Sequence, residues 1–150
     1  MKIGILGAGR LGICFALLLE KAGYEVIASD IREDYVSHLR SGLIKTSEPQ
    51  VSNLLSKSKN ITFVTDNIDV IHECDLIYTF VATPSLPDGS YDVSCIRQII
   101  KDFKDCNVEG KSLVIGCTTN PGDCDDFQNH LKPYGVDVYY NPEFIAQGSI

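Results

Sequence analysis

Lys2-Ile3-Gly4-Ile5-Leu6-Gly7-Ala8-Gly9-Arg10-Leu11-Gly12, followed eighteen residues later by Asp30, is the stretch on which the fold turns. A short apolar run ends in a glycine-rich loop, and the loop opens a helical pattern over Leu11 to Ala22 that stops at Gly23. Glu25-Val26-Ile27-Ala28-Ser29 then reads as a second strand, with Asp30 at its end. A bare G-x-G-x-x-G says little, but between a strand and a helix it has a mechanism. Gly7 permits a tight turn, Gly9 lets the backbone approach a pyrophosphate, and Gly12 lets helix and strand pack closely. The exposed amide groups of the loop Gly7, Ala8, Gly9, Arg10, Leu11 and Gly12 and the positive end of the helix then hold the phosphates. Asp30 can accept hydrogen bonds from ribose hydroxyls and would repel a 2′-phosphate, which favours NAD over NADP; Arg32 nearby is able to accommodate that phosphate.

The same alternation runs outward along the chain. Helical patterns cover Glu33 to Arg40, Ile68 to Glu73, Val93 to Lys104 and Asp123 to Leu131. Between them lie apolar, β-branched-rich strands at Ile61 to Val64, Leu76 to Val81, Ser112 to Ile115 and Val136 to Tyr140. Ser47-Glu48-Pro49 reads as a helix start, with serine as cap and proline in the first turn. The expected architecture is α/β: a Rossmann-type, doubly wound, mostly parallel sheet covered on both faces.

The 150 residues fit one such domain, 1–150, large enough to bury a core without staples. Thirteen basic against twenty acidic residues, a net charge of −7, argue against nucleic acid and anionic membrane surfaces as partners. The longest apolar run, Ile13 to Leu19, is far short of the about 20 residues a membrane span needs. Glycines interrupt the N-terminal apolar stretch, so no signal peptide is expected. The six cysteines (Cys14, Cys74, Cys95, Cys106, Cys117, Cys124) form no C-x-x-C pair and read as reduced thiols, mostly buried, in a cytoplasmic protein. His38, His72 and His130 are too scattered for a zinc site, and no metal is expected.

Three further loops leave strand C-termini, where open α/β sheets bind ligands. They are Val81-Ala82-Thr83-Pro84-Ser85 with Asp88-Gly89-Ser90 and Asp92, then Cys117-Thr118, then Asn141-Pro142-Glu143-Phe144-Ile145. Each alone reads as an ordinary turn. Together with the glycine loop, Asp30 and Ser47-Glu48-Pro49, they make the chain resemble the N-terminal NAD-binding domain of the UDP-glucose/GDP-mannose dehydrogenase family over essentially its whole length.

That resemblance implies an enzyme that oxidises the terminal alcohol of a nucleotide sugar to a carboxylate with two NAD, UDP-glucose to UDP-glucuronate first among the candidates. It implies that Thr83, with Ala82 and Pro84, lines the nicotinamide side, and that Thr118 contacts cofactor and a catalytic water. It places acid/base work on Glu143 and runs Phe144, Ile145 and Ala146 along the nucleotide-sugar site. A carboxylate acting through a water can take the hydroxyl proton, and a threonine hydroxyl can both donate to and accept from that water.

Some positions depart from the family pattern. Tyr35 stands where a lysine or arginine is frequent, Arg32 being its possible substitute; Cys117 stands where a serine is usual, and is not read as a nucleophile. Gln147 replaces a common glutamate; its amide can hydrogen-bond the cofactor but cannot act as a base. The family's G-x-G-G-x-C-F-x-K-D motif, whose thiol holds the aldehyde and becomes a thioester, does not occur. The expectation is therefore an N-terminal fragment that binds NAD without turnover, belonging to an enzyme that dimerises through segments beyond this chain. Two rival readings remain at this point: another NAD(P)-dependent dehydrogenase, of the β-hydroxyacid type, and a non-catalytic NAD-binding module.

Overall fold

β1 (Lys2–Leu6) is buried from Ile3 onward, because it pairs on both sides: with β2 (Glu25–Ser29) and with β4 (Leu76–Thr79). The computed structural model, which describes residues 1–143, extends this to a six-stranded sheet of order β3-β2-β1-β4-β5-β6. β3 is Ile61–Val64, β5 is Lys111–Ile115 and β6 is Val136–Tyr140. All five pairings are parallel. The chain builds outward from β1 to β3, then crosses back to place β4 on β1's other side, so the order reverses between β1 and β4. Such a reversal opens a crevice at the strands' carboxyl ends.

Side chains alternate across the sheet and form two cores. Ile5, Val26, Ala28 and Phe63 face α1 (Arg10–Lys21), α2 (Glu33–Arg40) and α3 (Val51–Leu55), which contribute Ile13, Ala16, Leu17, Val36, Leu39, Val51 and Leu55. Leu6, Ile27, Ile77, Leu113 and Ile115 face α4 (Asn67–Glu73), α5 (Ser94–Cys106) and α6 (Asp123–Leu131). α5 buries Ile96, Ile99, Ile100 and Phe103, a stripe at helical spacing. Full burial of each such side chain stabilises by about 1.5–3 kcal/mol.

The register brings the strand ends level. Val64, Ser29, Leu6, Thr79, Ile115 and Tyr140 form one row across the sheet. The next residue of each loop continues the ladder: Asp30 N–H donates to Val64 O, Gly7 to Ser29 O, Phe80 to Leu6 O, Gly116 to Thr79 O and Asn141 to Ile115 O. These bonds set the loops after β1, β2, β4, β5 and β6 along one rim.

Three expectations need correction. Ser47-Glu48-Pro49 does not start a helix: α3 begins at Val51, and Gln50 before it is left-handed (φ 65°), which breaks the chain direction after Pro49. No side chain caps α3, and the Glu48 carboxylate turns instead toward Arg10. β4 ends at Thr79 rather than Val81, because the chain turns off above the glycine loop, where the Phe80 carbonyl lies against Gly7. Finally, the six cysteines are free, but only Cys74 is buried; Cys95 is exposed on α5 and the other four are half-buried. Among the described residues no helix is long and apolar enough to cross a membrane, and no group of three or more His, Cys, Asp or Glu could hold a metal.

Candidate active site

Gly7 is left-handed (φ 96°), and its carbonyl lies so near α1 that any Cβ on Gly12 would collide with it. Gly9 differs: a Cβ there meets nothing within 4 Å. The loop is therefore packed from below through Gly7 and Gly12 and open above Gly9. Gly9 is also the N-cap of α1, with no side chain capping the helix and no acidic residue in its first turn. The amides of Leu11 and Gly12, in the first turn, find no carbonyl within the helix by the geometry of any α-helix start. An open glycine above uncapped amides fits a pyrophosphate. The loop itself is fastened from β2, since the Ser29 carbonyl accepts from both Gly7 and Ala8 N–H at 2.9 and 2.8 Å.

Asp30 stands at the end of β2, its side chain only 7% exposed. Arg32 grips it: Nε donates to Oδ1 and Nη2 to Oδ2, each at 2.8 Å. The same guanidinium lies 4.3 Å above the Tyr35 ring, and the Tyr35 hydroxyl donates to the Ala8 carbonyl at 3.0 Å. Tyr35 thus braces the glycine loop at a position where the family pattern has a cation. Beside Asp30, Ile31 is 83% exposed and presents an apolar surface suited to a flat heteroaromatic ring.

Thr83 is half-buried in the loop after β4 and Thr118 half-buried in the loop after β5. Asn120 ties these loops together. Asn120 donates through Nδ2 to the Tyr91 carbonyl (2.9 Å) and accepts at Oδ1 from Tyr91 N–H (2.7 Å). Asp123 Oδ2 holds Asn120 in turn, accepting from its backbone N–H and its Nδ2. Within the β4 loop, Asp92 N–H donates to Pro84 O, and Asp88 Oδ1 accepts from the Ser90 hydroxyl and amide, which hold its carboxyl below its usual value. Sequence reading assigned no role to Asn120; an asparagine before Pro-Gly is an ordinary turn signal.

Glu143 is half-buried after β6. Its N–H donates to the Gly116 carbonyl at 3.3 Å, and Asn141 Nδ2 donates to its Oε1 at 3.4 Å. The structure therefore brings Gly7–Gly12, Asp30, Thr83, Thr118 and Glu143 to one rim. Phe144, Ile145, Ala146 and Gln147 lie outside the described residues.

Cys117, next to Thr118, is a thiol at neutral pH: burial pushes its pKa up to about 11, and burial does the same to Cys74. Nucleophilic thiols need the opposite shift. A folded-state pKa raised above the ordinary 9.0 leaves stability intact below pH 9 and removes it as pH rises toward 11, since the unfolded chain ionises these thiols first. We expect the denaturant midpoint to fall between pH 9 and 11, less so in a Cys74→Ala/Cys117→Ala double variant. At neutral pH, iodoacetamide with peptide mapping should label the exposed Cys95 well before either. Early labelling of Cys117 would contradict the shielding of its half-buried thiol.

The glycine loop, the acid ending β2 and the reversal of strand order together define a dinucleotide-binding domain of the Rossmann class. Comparison with known proteins is more specific. The chain belongs to the UDP-glucose/GDP-mannose dehydrogenase family, whose NAD binding domain matches residues 1–150. It is similar to a putative UDP-glucose 6-dehydrogenase of Bacillus subtilis, 28% identical over 154 residues that cover 99% of this chain and 36% of that protein. It is also similar to a UDP-N-acetyl-D-mannosamine dehydrogenase of Methanococcus maripaludis, 34% identical over 160 residues, 99% of this chain and 35% of that one. Among solved structures, the GDP-mannose dehydrogenase of Pseudomonas aeruginosa shares the fold, with a TM-score of 0.87 at 24% identity over 97% of this chain and 37% of that chain. The chain thus spans about a third of the length of these relatives.

Proposed function

We propose that the full-length protein is an NAD-dependent nucleotide-sugar dehydrogenase that oxidises the terminal alcohol of a UDP- or GDP-sugar to the acid, with UDP-glucose the first candidate. The observation that carries this reading is the convergence of Thr118 and Glu143 on the rim that holds the glycine loop, with Glu143 tied by its amide to the carbonyl of Gly116 two residues before Thr118. In this reading Gly7 to Gly12 hold the pyrophosphate, Asp30 meets the adenosine ribose, and Thr83 lines the nicotinamide side. Gln147 adds an amide hydrogen bond to the cofactor. When bound, the nicotinamide accepts the hydride. The protein's own task is then the proton: Thr118 orients a water, and Glu143 takes the hydroxyl proton through it. Phe144, Ile145 and Ala146 run along the nucleotide sugar.

By the family resemblance, the thiol that carries the aldehyde to the acid level and the contacts of a homodimer come from outside residues 1–150. These 150 residues alone then bind NAD without turnover. Reduced thiols fit a cytoplasmic enzyme. The test is a panel of UDP-glucose, UDP-N-acetylmannosamine and GDP-mannose with NAD and the full-length protein, followed by NADH absorbance. One sugar should yield two NADH per molecule. If none reduces NAD, the reading is wrong.

A further inference from the structure

The Asp30 carboxylate is already engaged. Oδ1 accepts from the backbone N–H of Arg32 at 3.1 Å and from Arg32 Nε at 2.8 Å, while Oδ2 accepts from Nη2 at 2.8 Å. The guanidinium cannot wander easily, because its other face rests on the Tyr35 ring and Tyr35 is itself tied to the glycine loop. Yet the Arg32 side chain is 58% exposed, against 7% for Asp30, so the cation is the part of the pair that meets solvent.

This arrangement changes how a dinucleotide is read. A bare carboxylate at the end of β2 discriminates twice: it accepts from the ribose hydroxyls of NAD and repels the 2′-phosphate of NADP. Here the ribose hydroxyls must share oxygens that three donors already occupy. The 2′-phosphate meets a neutral pair whose guanidinium has five N–H donors and uses two on Asp30, leaving three. Glu33 and Asp34 in the first turn of α2 add negative charge close by, which offsets part of what the phosphate gains from the guanidinium.

We propose that Arg32 determines cofactor choice in this protein: by clamping Asp30 and exposing its own guanidinium, it opens the NAD site to 2′-phosphorylated dinucleotides, so that NADP binds alongside NAD. The inference rests on NAD binding at the glycine loop and not on which sugar is oxidised.

Calorimetric titration of the full-length protein with NAD and with NADP, without sugar, tests it. The wild type should bind the two within about tenfold, with NADP the more salt-sensitive. Arg32→Ala should weaken NADP about tenfold or more while NAD holds or tightens, which widens the ratio. Arg32→Lys keeps the charge but loses the two-point grip and should fall between. Circular dichroism checks that each variant folds, and Arg32→Gln replaces any that does not. A wild type that prefers NAD more than a hundredfold, or a ratio unmoved by all three substitutions, overturns the proposal. Because no sugar is present, failure of the nucleotide-sugar reading shows only in the turnover panel.

Discussion

Gly12→Ala is expected to lose about 3 kcal/mol of stability and to bind NAD at least a hundredfold more weakly. The new Cβ would collide with the carbonyl oxygen of Gly7, a backbone atom that cannot swing aside. Gly7 is held by its amide on Ser29 O, and α1 is held by Ile13, Ala16 and Leu17 in the core, so neither partner has room to retreat. Overpacking of this kind costs about 1–3 kcal/mol, and the high end applies where both sides are rigid. Gly9→Ala is the matched control. Its Cβ meets nothing, so stability should stay within about 0.5 kcal/mol while it intrudes on the space above the amides and weakens NAD. Urea midpoints and NAD titrations on the two variants separate packing from ligand approach. If Gly12→Ala melts like the wild type, the close approach of α1 to the loop is wrong.

Glu143→Gln in the full-length protein should lower kcat by roughly 10²–10⁴-fold, the usual range for losing a general base, with little change in KM for NAD. The amide is nearly isosteric, and the hydrogen bond from Glu143 N–H to Gly116 O belongs to the backbone and survives. Position is therefore kept and only proton acceptance is lost. A variant that retains wild-type kcat removes Glu143 from the chemistry and moves the base elsewhere on the rim.

Much of the fold was legible from residue order. The glycine loop between a strand and a helix, and the strand–helix alternation after it, predicted all six strands; β1, β2, β3 and β6 have the expected limits. These signals are local: apolar periodicity, glycine stops and a turn needing positive φ. The errors came where a tertiary contact outweighed a local preference. Ser47 and Pro49 look like a helix start, but Glu48 is drawn to Arg10 on α1, 38 residues earlier, and the helix waits until Val51. The cysteines read as small hydrophobes, yet burial depends on which helix face meets the sheet, and Cys95 falls on the outer face of α5.

The site divides in the same way. Sequence alone determined that this is a doubly wound nucleotide-binding domain and where its glycine loop lies, because glycine spacing and strand–helix order express steric rules that act within a dozen residues. Only the tertiary structure decided how the rim is wired. The clamp of Arg32 on Asp30, the brace from Tyr35 to Ala8, and the Asn120 tie between two loops all depend on side-chain directions fixed once the strands align in register. Charge and hydrogen-bonding partners are set by distance in space. A run of residues shows that an arginine lies two positions from an aspartate, and only the folded chain shows that the two have already found each other.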